Sequence, residues 1–191
     1  MTQVGLYGGS FNPVHIGHLA LANWLREYAG LDEVWFMPSP QNPLKASGDL
    51  LDAGLRLEML RLAVGDVPGF RVSDYEYHRP APSYTIDTLR SLKADFPDKN
   101  FHLLIGADNW VDFPLWKDYR EILATTPLLI YPRRGCEVSV PARLTQVRYF
   151  SAAPLVEIAS ADIRRAFQEG RDLRFFLPES VRGLWLNACR G

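Results

Sequence analysis

The chain has 191 residues, of which 47% are hydrophobic, so it can bury a sizeable core and is too apolar for wholesale disorder. Its 21 Lys and Arg face 22 Asp and Glu, a net charge of -1 that leaves no basic excess to grip a nucleic-acid backbone, so no nucleic-acid partner is expected. Cys136 and Cys189 stand far apart with no CxxC, against a disulfide framework or zinc ribbon, and neither a signal peptide after Met1-Thr2-Gln3 nor a run of about eighteen apolar residues appears, so no membrane association and a cytoplasmic location are expected.

Val4-Gly5-Leu6-Tyr7 is a short apolar run broken by Gly8-Gly9-Ser10, the pattern of a buried strand entering a loop. Leu19, Leu21, Ala22, Leu25 and Tyr28 follow at helical spacing, closed by Gly30. A second strand, Val34–Met37, stops at Pro38, and Ser39–Lys45 holds too many prolines for regular structure. Leu55, Met59, Leu62 and Ala63 predict a helix, and Phe70–Val72 with Tyr75–Tyr77 a weaker edge-strand region. Thr85 to Phe96 reads as a helix, Phe101–Ile105 as the clearest central strand, Asp118 to Ala124 as a helix and Leu128–Tyr131 as a strand. A strand over Val147–Phe150 and helices near Asp162–Glu169 and Glu179–Asn187 complete the chain. Alternation of strands and helices predicts an α/β domain, a doubly wound, mainly parallel, Rossmann-like sheet with helices on both faces. No repeat or linker divides it, so residues 1–191 are expected to form a single domain. Ligands of such sheets bind beyond the carboxyl ends of the strands, here the loops after Tyr7, Met37, Ile105 and Tyr131.

The first of these loops runs Gly8-Gly9-Ser10-Phe11-Asn12-Pro13-Val14-His15-Ile16-Gly17-His18. A glycine pair after strand one lets the backbone approach phosphates and turn its N–H groups toward them. Neither GxGxxG nor GxxxxGK[ST] is present. His15 and His18, three apart at a helix start, can reach one ligand group, and Gly17 leaves room for it at the positive end of the helix dipole. A metal site would need a third or fourth ligand, and none stands at suitable spacing.

On these residues the chain resembles the nucleotidyltransferase superfamily that carries the HxGH signature. The longer string Gly-Ser-Phe-Asn-Pro-Val-His-Ile-Gly-His resembles its nicotinate-nucleotide adenylyltransferase branch. That resemblance implies an adenylyltransferase in NAD biosynthesis, joining ATP and nicotinate mononucleotide into deamido-NAD and pyrophosphate, with Mg2+ bound to the ATP. It implies that His15 and His18 donate to the ATP phosphates, beside an ATP-binding loop of Gly8, Gly9, Ser10, Phe11 and Gly17. Relatives acting on nicotinamide mononucleotide, another adenylyltransferase of the HxGH superfamily, and a non-catalytic nucleotide-binding module are the alternatives.

The superfamily's second signature is matched by Ile158-Ala159-Ser160-Ala161-Asp162-Ile163-Arg164, with Ala159 and Ala161 in place of two hydroxyl residues. The resemblance implies that Ser160 and Arg164 serve the ATP phosphates and that the C-terminal helices, about 160–191, complete the ATP site; read alone, Ser160 is a helix N-cap. Gly106 and Asp108 of Ile105-Gly106-Ala107-Asp108 carry over as nucleotide-holding residues. Phe113-Pro114-Leu115-Trp116 matches a Leu/Phe-Pro-x-Trp motif, implying that Trp116 stacks on the pyridine, while Trp110 is read as core. Thr85 of Ser83-Tyr84-Thr85, Lys45 closing Pro43-Leu44-Lys45, and Arg133 carry over as mononucleotide-binding. Arg134 stands where the family has proline, and its role is left open, as is the choice between monomer and homo-oligomer.

Overall fold

The structure, a computed structural model, describes residues 1–40, 50–80 and 83–189. Six strands form one sheet: β1 (Thr2–Gly9), β2 (Glu33–Pro38), β3 (Phe70–Val72), β4 (Lys99–Gly106), β5 (Leu128–Tyr131) and β6 (Val147–Tyr149). Their order is β3-β2-β1-β4-β5-β6, and every described pairing is parallel. Leu6 pairs with Trp35 on one side and Leu103 on the other, so β1 is central, and the order reverses between β1 and β4. That reversal opens a crevice at the carboxyl ends of the two strands, the general ligand position of doubly wound sheets.

The period of two in the strands sorts their side chains into two cores. Tyr7, Phe36, Leu104, Leu129 and Tyr131 face one layer, with α1 (Ile16–Ala29), α2 (Ala53–Val64), α6 (Ser160–Gln168) and α7 (Glu179–Ala188). Leu6, Trp35, Leu103, Ile105 and Ile130 face the other, with α3 (Thr85–Asp95), α4 (Ala107–Val111) and α5 (Tyr119–Thr125). Gly30 ends α1 in the left-handed conformation (φ 74°), its N–H donating to the Arg26 carbonyl. Among the described residues no helix is long and apolar enough to cross a membrane.

Three elements differ from expectation. Tyr75–His78 is a 3₁₀ turn rather than an extension of the edge strand. The β2–β3 ladder ends at Phe36 opposite Val72, and two residues on β2 reaches Pro38, which has no N–H to continue it. Helix α4 follows β4 at once; with Gly106 as its N-cap and only five residues, it is too short to leave a periodic signature. In α2 the buried face carries Arg56, Leu57, Met59, Leu60 and Val64, while Leu62 is exposed, so the core stripe is rotated from the one the leucines suggest.

Candidate functional site

The loop from Gly9 to Ile16 lies at the crevice between β1 and β4, against a cleft of about 1210 Å3. His15 is the N-cap of α1, in extended conformation (φ -143°, ψ 168°), and His18 is the third helical residue. The His15 backbone N–H donates to His18 Nδ1 at 3.2 Å, so the proton of a neutral His18 ring resides on Nε2. This is the reach-back half of a capping box with histidine in the place of glutamate, and it fixes the ring's orientation. The two imidazoles stack at 3.6 Å between centroids with planes 25° apart, and both line the cleft. His15 is 4% exposed, and burial, aided by the positive charge of Arg133, depresses its pKa to about 4. It is therefore a neutral hydrogen-bonding group near pH 7.

The remaining loop residues divide between packing and lining. Gly8 and Gly9 line the cleft, and a Cβ on Gly8 would meet nothing within 4 Å. Ser10 Oγ is buried there without a partner among the described residues. Phe11 is 2% exposed, with its ring against Tyr7, Phe36 and His18, so its side chain is core and only its backbone is left to meet a ligand. A Cβ on Gly17 would sit 2.8 Å from Val156 Cγ1 and 3.1 Å from His15 Nδ1. The missing side chain at position 17 thus makes room for the His15 ring and the segment before α6, where the sequence suggested room for a phosphate.

Helix α6 closes on this loop. Its N-cap is Ala159; Ser160 is the first helical residue, and its hydroxyl donates to the Pro13 carbonyl at 2.9 Å instead of capping the helix. Arg164 Nη1 donates to the Asn12 carbonyl at 2.7 Å. The two polar residues of the second motif, Ser160 and Arg164, therefore grip the first motif's backbone while lining the cleft, which Ala159 and Ala161 line as well.

Across the cleft, a Cβ on Gly106 would fall 2.2 Å from Asp108 Oδ1 and 3.2 Å from Arg133 Nε, so glycine is what lets those two side chains approach. They face each other at 3.7 Å. Two residues the sequence did not single out, Tyr7 and Tyr131, meet edge to face beneath Arg133, with ring centroids 6.1 Å apart, and burial raises both phenol pKa values. Arg134 pairs with Glu157 at 3.2 Å, joining the turn after β5 to the segment before α6.

Thr85 begins α3, and its helix start lines the same cleft as Trp116. The Trp116 ring is tilted against Phe113 at 5.1 Å, and its Nε1 is buried without a partner among the described residues. Trp110 stacks on Phe113 and donates Nε1 to the Ser139 carbonyl, a packing role. Lys45 lies outside the described residues. The largest omission of the sequence reading is Arg56, which is fully buried beneath the loops after β1 and β2. Its one signal is an arginine inside an apolar helical stripe, which pattern alone assigns to the solvent face.

Fold and site together define a nucleotide-binding α/β protein with a glycine loop and paired histidines at the switch point. The sequence matches the cytidylyltransferase-like family over residues 6–166. It is 48% identical over 180 residues to a probable nicotinate-nucleotide adenylyltransferase of Bacteroides fragilis, covering 94% of this chain and 89% of the relative. A protein of the same description from Bacteroides thetaiotaomicron is 49% identical over 179 residues, covering 94% and 88%. The fold is also that of Plasmodium falciparum nicotinic acid mononucleotide adenylyltransferase complexed with NaAD (TM-score 0.81, 17% identity, 98% and 96% of the chains covered). The chain belongs to the cytidylyltransferase-like family, and within it to the nicotinate-nucleotide adenylyltransferases.

Proposed function

We propose that this protein transfers the adenylyl group of ATP to nicotinate mononucleotide, releasing pyrophosphate and forming deamido-NAD. The observation that carries the reading is the stacked His15–His18 pair beside the glycine loop, held from the other side by Arg164 and Ser160. ATP enters with Mg2+ as its counter-ion, part of the substrate. The acceptor is a phosphate monoester, mostly ionised at pH 7 because its second pKa is about 6. Such a nucleophile needs no general base. Its oxygen attacks the α-phosphorus in line, the bond to the β-phosphate oxygen breaks, and pyrophosphate leaves without a covalent enzyme intermediate.

The work left to the protein is positioning and charge stabilisation. His18, with Nδ1 committed to the backbone, offers Nε2–H to the phosphates, and neutral His15 stacks behind it. Gly8, Gly9, Ser10 and the Phe11 backbone flank the triphosphate, Gly106 and Asp108 the nucleoside, and Arg164 and Ser160 the far side of the phosphates. Arg133 meets the mononucleotide phosphate, and Trp116 with the Thr85 helix start holds the pyridine. The C-terminal helices then complete the ATP side of a single catalytic unit, working in the cytoplasm.

The test is pyrophosphate release with ATP and each candidate acceptor offered side by side. Turnover with nicotinate mononucleotide is expected. Turnover with none of the pyridine mononucleotides would overturn the reading in favour of a nucleotide-binding module.

A further inference from the structure

Arg56 is 0% exposed, a rare place for arginine, since a buried charge is costly unless its hydrogen bonds are met. Its partners are four backbone carbonyls: Nε donates to Leu51 (3.1 Å), Nη1 to Ser10 (2.6 Å) and Ser39 (2.9 Å), and Nη2 to Pro40 (2.9 Å). These carbonyls belong to the loop after β1, the loop after β2 and the lead-in to α2. Burial pulls the guanidinium pKa below its ordinary value, with Asp52 and Tyr77 opposing, and the group remains a cation at neutral pH. A leucine here would cost less to bury, so packing does not account for the choice.

The geometry around Ser10 does. In a trans peptide the C=O and the following N–H point in opposite directions. Arg56 holds the Ser10 carbonyl on the α2 side, which turns the Phe11 N–H away from α2, toward the cleft that Ser10, Phe11 and Asn12 line. The same segment grips the loop a second time, because the Leu51 N–H donates to Asn12 Oδ1 at 3.1 Å. Two further carbonyls of the loop, those of Asn12 and Pro13, are taken by Arg164 and Ser160. Three carbonyls of the loop are thus tied back by side chains, and the donor that the Ser10 tie turns to the cleft is the Phe11 N–H.

We propose that Arg56 is a positioning residue for ATP: it touches no substrate, and by anchoring the Ser10 carbonyl it aims the Phe11 N–H at the triphosphate. This rests on the reading that the glycine loop receives ATP phosphates. Three readouts test it with the full chain: ATP affinity by calorimetry, KM and kcat in pyrophosphate release, and unfolding by urea. Arg56→Met removes the donors at similar length; Arg56→Lys keeps the charge and up to three donors. For folded Arg56→Met, ATP binding should weaken about 10- to 100-fold, the range for losing hydrogen bonds to a charged group. KM for the mononucleotide should rise less than KM for ATP, although Arg56 also anchors the Ser39 and Pro40 carbonyls of the loop after β2. Arg56→Lys should recover a large part of the ATP affinity and, where the methionine variant does not fold, carries the test by an intermediate ATP defect. Wild-type ATP affinity in either folded variant overturns the proposal. So does a parallel rise in KM for both substrates, or a loss that only follows the fraction unfolded. The calorimetric arm needs no acceptor, so a wild type that binds ATP but transfers to no pyridine mononucleotide would sink the acceptor assignment and leave the role of Arg56 standing.

Discussion

His15 and His18 lie ring on ring, 3.6 Å apart, and the backbone N–H of the first is hydrogen-bonded to Nδ1 of the second. The HxGH spacing therefore encodes more than two side chains on one helical face. It places one histidine at the N-cap and the other at the third helical position, where a side chain can reach back to the cap and lose its rotational freedom. The stack could not survive a side chain at position 17, since a Cβ there would press on both His15 and Val156. The Nδ1 of His18 is committed to the backbone, and His15 is the buried plate against which its ring is held.

This arrangement sets the first prediction. His18→Ala should lower kcat on the order of 10²–10³-fold, the effect of losing one preorganised donor to developing negative charge. Affinity for the mononucleotide should change little. His15→Ala should also lower kcat, by freeing the His18 ring. Near-wild-type turnover in both variants, measured by pyrophosphate release, would remove the pair from catalysis.

The burial of His15 has a consequence for stability. Its pKa is about 4 in the fold against an ordinary 6.5, so the unfolded chain binds the extra proton between those values and stability must rise with pH there. The contribution is fully present above about pH 6.5 and is lost as pH falls toward 4, on the order of 3 kcal/mol across the window. Urea unfolding of the wild type and His15→Gln at pH 7 and pH 4.5 reads it directly. The wild type should lose more stability than the variant on acidification. Equal losses would mean that His15 is protonated in the folded state.

The second motif yields a contrast between neighbours. Arg164 holds the Asn12 carbonyl in the ATP loop, whereas Ala161 is an exposed residue in the cleft wall. Arg164→Ala should raise KM for ATP about tenfold or more and depress kcat, as expected for a charged donor leaving a carbonyl unpaired. Ala161→Thr, which restores a hydroxyl, should change turnover by no more than about threefold, because N–H groups of the helix start remain available to phosphates. Initial-rate kinetics with ATP varied decides the matter. Equal, negligible effects would take this segment out of the site.

Much of this was legible in the sequence because it rests on local patterns. The strand β1 and its glycine break, the helix closed by Gly30, and the carboxyl-edge position of the site all follow from short-range rules. What stayed hidden depends on partners far along the chain. Ser160 looks like a cap because serine caps helices, but its acceptor is Pro13, 147 residues earlier. Arg56 looks like a surface residue because arginine is charged, but three loops surround it with carbonyls. Phe11 sits within a phosphate-loop string, yet the shape of the Tyr7, Phe36 and His18 rings draws it into the core.

Substrate choice depends on one group: nicotinate mononucleotide carries a carboxylate with only acceptors, nicotinamide mononucleotide an amide with two donors. In the proposed site the wall at the pyridine offers donors. The first N–H groups of α3 at Thr85 have no partner within the helix, and the helix start lines the cleft together with Trp116. Glu76, on the same cleft, accepts from Thr88 Oγ1 at 3.0 Å, and burial raises its pKa. A carboxylate satisfies two donors at once, whereas an amide must turn its NH2 toward one of them and leave both groups unpaired, at about 1–3 kcal/mol each. Two mismatches correspond to roughly 10²-fold or more in kcat/KM, since about 1.4 kcal/mol is tenfold. The expected outcome is a preference of that size for the deamidated substrate. Trp116→Ala should weaken both mononucleotides alike, because it removes the stacking surface and leaves the donors at the start of α3 in place. Comparable kcat/KM for the two mononucleotides in the wild type would overturn the specificity and leave adenylyl transfer intact. A narrowed ratio in Trp116→Ala would instead move the discrimination from the start of α3 to Trp116.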